Sequence, residues 1–168
     1  MTYTALGEFR VLTIRETRDK GRAEEPRDVA RYWRAEVEAS PAFDPMKEHL
    51  VAIMRDTRGN ITGHHVVAVG TLDGVTVHAR EVFRPAIVAG AHSVILAHNH
   101  PSGDQSPSDA DLRITRTLMQ AGRILGIAVE DHVIMGRRSH RSLQELGAMD
   151  EALERPSARR KGKRKRKT

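Results

Sequence analysis

Apolar positions along the chain fall into short blocks. Some alternate at the period of a strand and others recur at the period of a helix. Residues 8–15, EFRVLTIR, interleave Phe, Val, Leu and Ile with polar neighbours and predict a strand. The stretch 18–26, RDKGRAEEP, is a charged loop. Val29, Trp33 and Val37 recur every four residues, which predicts a helix over 27–39 that Ser40-Pro41 stops. EHLVAIMRD (48–56) predicts a buried strand, RGN (58–60) its turn, and ITGHHVVAVGTL (61–72) the returning strand of a hairpin. A helix is predicted over 79–89 and closed by Gly90; Pro85 should kink it or mark a late start. SVILA (93–97) is wholly apolar, too short for a helix and rich in β-branched residues, so it predicts a central strand. HNHPSGDQSP (98–107) reads as a loop. Residues 108–126 predict a long amphipathic helix with Leu112, Leu118, Ala121 and Leu125 inward. IAVEDHVIMG (127–136) predicts another strand and SLQELGAM (142–149) a short final helix. With no internal repeat, the alternation predicts one mixed α/β layer.

Composition narrows the chemistry. At 168 residues the chain fits a single domain with a real core, 39% hydrophobic and 30% charged. No apolar run approaches the roughly 20 residues that span a bilayer, and the N-terminus lacks a basic start followed by an apolar block. No membrane partner is therefore expected. There are no cysteines, so disulfides, thiol nucleophiles and cysteine metal sites are excluded, which fits a cytoplasmic protein. Any metal must be held by His, Asp or Glu. The net charge of +6 is uneven: residues 159–167, RRKGKRKRK, hold eight of the 28 Lys and Arg, leaving 20 against 22 acidic residues elsewhere. With no apolar residue to bury, the basic tail over 151–168 is expected to be disordered, either simply solvated or a weak, salt-sensitive attractor of nucleic acid.

The densest polar cluster follows the most apolar strand. His98 and His100 stand two apart at its C-terminal end, where strand geometry projects both imidazoles from one face. Strand C-termini are also where α/β proteins tend to place their sites. Asp111 lies on the first turn of the next helix, and the loop with Pro101, Gly103 and Pro107 can bring it back beside them. Two imidazoles and a carboxylate suit one zinc ion per chain, with a fourth position open to water. A general base is then needed. Glu48 opens the strand LVAIM, where apolar neighbours should raise its pKa; Glu81 competes nearly equally on these grounds. Ser108 could donate to the oxyanion of a tetrahedral intermediate. Ser108 and Asp111 also fit a capping box, and one serine could do both. His64 and His65 point to opposite faces of a strand and read as sheet residues. Asp131-His132 reads as a buried hydrogen-bonded pair, and His49, His78, His92 and His140 carry no assigned role.

HNHPSGDQSPSDAD resembles the JAMM signature: H-x-H, seven residues, Ser, two residues, Asp. Every position fits. The longer run 78–147 is similar to the bacterial RadC family, also called the RadC-like JAB or MPN domain, and the resemblance covers about 41–150. It implies an α/β (α+β) JAB/MPN fold, a cytidine-deaminase-like mixed curved sheet flanked by helices; the strand and helix read from residues 1–40, outside the resemblance, are expected to pack on that core. It also implies zinc on His98, His100 and Asp111 and peptidase- or isopeptidase-like hydrolysis of a protein or peptide. The family's shuttle glutamate begins a strand ahead of the H-x-H, which favours Glu48 over Glu81. Longer family members carry an N-terminal helix–hairpin–helix module, a pattern absent from residues 1–40, and Pro85 and the basic tail depart from the family. The family name suggests DNA repair, so a nucleic-acid-associated factor using its tail is the alternative; fold and name do not establish substrate. A two-metal nuclease fits one metal site poorly.

Overall fold

The computed structural model describes residues 15–16, 21–70 and 77–149. Most of the strand predicted over 8–15 and all of the basic tail lie outside them. The elements are β1 (Arg15–Glu16), α1 (Pro26–Tyr32) continued by a π-helical turn (Trp33–Val37), β2 (Glu48–Arg55), β3 (Ile61–Gly70), α2 (Ala79–Val88), β4 (Ser93–Asn99), α3 (Asp109–Leu125), β5 (Ala128–Met135) and β6 (His140–Ser142). The strands form one sheet in the order β1-β3-β2-β4-β5-β6. The β4–β5 pair is parallel and the other pairs are antiparallel, so the sheet is mixed. Among the described residues no helix is long and apolar enough to cross a membrane.

Both faces of the sheet are covered. Leu50, Ala52, Met54, Val94 and Leu96 pack with Val82 and Phe83 of α2 and Leu118 of α3. Val51, Ile53, Ile95 and Ala97 pack on the other face with Val29 and Trp33. The switch between adjacent residues is the two-residue period of a strand. It explains why β4 is buried along its whole length and reads as an unbroken apolar run. The predicted helix over 27–39 divides: after Tyr32 the turn widens, and Glu38 N–H donates to Trp33 O at 3.0 Å, a five-residue step. A four-residue repeat overshoots an α turn by about 40°. The wider turn keeps Val29, Trp33 and Val37 all buried.

A bulge in β5 decides what lies behind the end of β4. Val94 pairs with Val129, but Ile95 pairs with Asp131, so Glu130 is the extra residue. Its carboxylate pairs with Arg55. Beyond the bulge, Asp131 turns toward the α1 side, and His132 stands on the α3 side as Val129 does.

Three expectations are corrected. Pro85 does not delay α2, which starts at Ala79 and runs through it. Leu125 is 46% exposed. Gly126, at φ 71°, turns the chain back so that Ile127 N–H donates to Gly122 O at 3.0 Å and Ile127 enters the core instead. The final helix does not begin at Ser142. Asp131 accepts from Ser142 Oγ–H at 2.6 Å and from Gln144 N–H at 3.0 Å, which ties Ser142 into β6, with 143–147 as turns.

The approach of α3 to Ile127 requires the missing side chain of Gly122. A Cβ there would fall on the Ile127 carbonyl oxygen and lie 3.0 Å from Phe83 Cζ. Gly122→Ala should gain about 1 kcal/mol of helix propensity yet lose about 1–2 kcal/mol net to overpacking. Chemical denaturation measures this, and a raised midpoint would show that α3 can lift away freely.

Candidate metal centre

β4 runs through Asn99, so His98 belongs to the strand rather than to the predicted loop, and His100 follows directly. α3 begins just after Ser108, its N-cap, which sets Asp111 on the first turn. The structure brings the three side chains together. His98 Nε2 lies 2.9 Å from His100 Nε2 and 3.2 Å from Asp111 Oδ1, and His100 Nε2 lies 3.5 Å from Asp111 Oδ2. Ligands about 2.0–2.1 Å from a tetrahedral zinc stand about 3.3 Å apart, so the cluster fits an ion with little movement. The side chains of His98 and Asp111 are fully buried, while that of His100 is 13% exposed. Asp111 Oδ1 is buried with no hydrogen-bond partner. Such an oxygen, 3.2 Å from the His98 imidazole nitrogen, is where a cation fits.

The electrostatics agree. Burial acts to raise the Asp111 carboxyl, but the adjacent imidazoles of His100 and His98 and the Ser108 N–H outweigh it and hold it well below the usual carboxylate range. Hydrogen bonding to Asp111 raises His100 against the effect of burial, with the Asp104 carbonyl and the charges of Asp111 and Glu48 adding to it. The cluster therefore favours positive charge, as protonated imidazole or as a divalent ion. Burial pushes His132 well below the imidazole range.

The capping box and the site turn out to be one structure. Asp111 N–H donates to Ser108 Oγ at 3.1 Å, and Ser108 returns its N–H at 2.8 Å and its hydroxyl at 2.7 Å to Asp111 Oδ2. This leaves Oδ1 to His98, while Oδ2 also lies 3.5 Å from His100 Nε2. The Asp104 carbonyl lies 2.7 Å from His100 Nδ1 and can only accept, so His100 carries its proton on Nδ1 and turns Nε2 inward. Leu50 pairs with His98, and the same register carried two residues further sets Glu48 against His100. Glu81 is on α2, engaged with Arg80 and Arg84.

Sequence reasoning missed two supports. Asn99, between the histidines, accepts from His49 N–H and donates to Lys47 O, both at 2.9 Å, and so grips the backbone on either side of Glu48. Asp131 and His132 form the expected buried hydrogen-bonded pair, His132 N–H donating to Asp131 Oδ1 at 2.7 Å, but the imidazole itself points elsewhere. It reaches His98 Nδ1 at 2.8 Å. No sequence signal marks either one, since Asn99 acts through β2 and His132 through the β5 bulge.

A mixed sheet whose central strand ends in His-x-His, closed by a helix-borne aspartate, has the make-up of a JAMM-type metal-binding domain. The family model described as the RadC-like JAB domain matches residues 23–148, and the chain belongs to that family. It is 50% identical over 101 residues to a UPF0758 protein of Methanococcoides burtonii, covering 60% of this chain and 44% of that one. It is 48% identical over 103 residues to one of Thermotoga maritima (61% and 46%). A UPF0758 protein of Chlorobaculum tepidum is 41% identical over 119 residues (71% and 51%). The chain spans about half the length of these curated relatives.

Asn99→Ala would leave the His49 N–H and the Lys47 carbonyl without their partner. A loss of about 1–3 kcal/mol in denaturant unfolding is expected. Stability equal to wild type would mean that this clamp does not hold the start of β2.

Proposed function

We propose that the chain is a zinc-dependent hydrolase of the JAMM type that cleaves an amide bond in a peptide or isopeptide. The observation that carries this reading is the convergence of His98 Nε2, His100 Nε2 and an unpartnered, buried Asp111 Oδ1. Three protein ligands with one at the mouth suit a catalytic rather than a structural zinc. When bound, zinc supplies Lewis acidity that makes hydroxide available near neutral pH. Glu48, opposite His100, takes the proton of the attacking water and returns it to the departing amine. Ser108, whose hydroxyl now donates to Asp111, turns to the oxyanion of the tetrahedral intermediate as carbonyl charge develops.

Elemental analysis of purified protein should find about one zinc per chain in the wild type and none in Asp111→Ala. Glu48→Gln should keep its zinc and lose about 10²–10⁴-fold in peptide cleavage. Wild-type zinc content in a His98→Ala/His100→Ala double variant would rule out the site.

The segregated charge of residues 159–167 favours a second, compatible reading, in which that segment draws the domain to nucleic acid. DNA affinity should fall steeply with salt and vanish when 159–167 is deleted. No binding by the full chain at low salt would remove this reading.

A further inference from the structure

The groups behind His98 form a chain whose hydrogen-bond directions can be worked out from one end. Thr115 Oγ lies 2.6 Å from the backbone carbonyl of Asp111 and 2.5 Å from His132 Nδ1. A carbonyl can only accept, so the threonine gives its one proton to Asp111 O. Toward His132 it can then only accept, and the proton between them must sit on His132 Nδ1. A neutral His132 with that proton presents a lone pair at Nε2, which lies 2.8 Å from His98 Nδ1. His98 must therefore be the donor. In its neutral form its only proton is on Nδ1, and its Nε2 lone pair faces His100 and Asp111.

We propose that Thr115 and His132 are positioning residues that fix His98 in its Nδ1–H tautomer and aim its Nε2 at the metal. The two are fully buried or nearly so, and they lie on different elements, α3 and β5. The relay starts and ends on the same residue, because the Asp111 carbonyl anchors Thr115 while the Asp111 carboxylate meets His98 at the site. Metal ligation and helix geometry are thereby coupled through one closed circuit. Partners of this kind raise ligand basicity and orient the ring, and losing one typically costs about 10–100-fold in metal affinity.

The proposal rests on His98 being a ligand, and its test separates the two ideas. Thr115→Val keeps the shape but removes the acceptor. His132 then does better with its proton on Nε2, donating to His98 Nδ1, which forces the His98 proton onto the ligating nitrogen. Long-range ¹H–¹⁵N spectra of metal-free protein, recorded where the imidazoles are neutral, should show His98 and His132 as Nδ1–H tautomers in the wild type. Both should invert in Thr115→Val. Zinc affinity, measured by competition with a chromophoric chelator, should fall about 10–100-fold in Thr115→Val and recover in Thr115→Ser, which keeps the hydroxyl. An Nε2–H tautomer for His98 in the wild type would overturn the relay, as would unchanged zinc affinity in Thr115→Val. Wild-type protein that shows the Nδ1–H pattern yet binds no zinc would sink the ligand reading alone. If Thr115→Val fails to fold, the wild-type spectrum and the His132→Phe affinity decide: full zinc affinity without an acceptor for His98 Nδ1–H contradicts the proposal.

Discussion

Asp111 is a carboxylate with no solvent access at the N-terminus of α3, and much of the local structure follows from having to accommodate it. A buried charge is tolerated only when it is paired and hydrogen-bonded, and each unsatisfied group costs on the order of 1–3 kcal/mol or more. Ser108 meets the demand of Oδ2 twice over, through its N–H and its hydroxyl. The helix N-terminus adds favourable partial positive charge. Oδ1 has no such partner and faces His98. The carboxylate is thus held in place through one oxygen and turned with the other toward His98.

That requirement links elements far apart in sequence. The apolar run of β4 is buried on both faces, so the two imidazoles at its end emerge from a rigid strand. Asn99, between them, faces the opposite way and joins β4 to the backbone around Glu48. Asp104 sets the orientation of His100. The bulge at Glu130 turns His132 to the α3 side, where it meets His98. These groups lie between residues 47 and 132, within the stretch matched by the family model.

The order of elements, the central place of β4 and the convergence of His98, His100 and Asp111 were legible in the sequence. These features depend on local period and spacing: an unbroken apolar run, an H-x-H at its end, and Ser-x-x-Asp at a helix start. The departures depend on long-range contacts that no local pattern encodes. Leu125 fits an inward stripe by period alone, but Gly122 and Gly126 turn the chain so that Ile127 replaces it. The helix proposed from Ser142 yields to an aspartate eleven residues earlier that binds Ser142 into a strand. The α3 stripe itself hides part of the site, because its buried residues include Thr115, a polar group that looks out of place until His132 is set beside it. Asp131-His132 is a local pair, joined through His132 N–H and Asp131 Oδ1, but strand alternation sends the two side chains to opposite faces, and the bulge decides that the imidazole takes the α3 side.

The distribution of exposure bears on what such a site can do. Of the three side chains, those of His98 and Asp111 are fully buried and that of His100 alone has some solvent exposure. Glu48, which opens β2, stands near enough for its charge to act on His100. A purely structural ion needs no open edge, and a carboxylate across from it would add little to stability. Placing the slightly exposed His100 and an acidic strand start together, with His98 and Asp111 held by Ser108 and His132 behind them, separates the groups suited to hold an ion from the groups that can move a proton. The physical case for hydrolysis rests on that separation, since the holding groups can be fully ordered while the proton-moving side remains accessible to substrate and solvent.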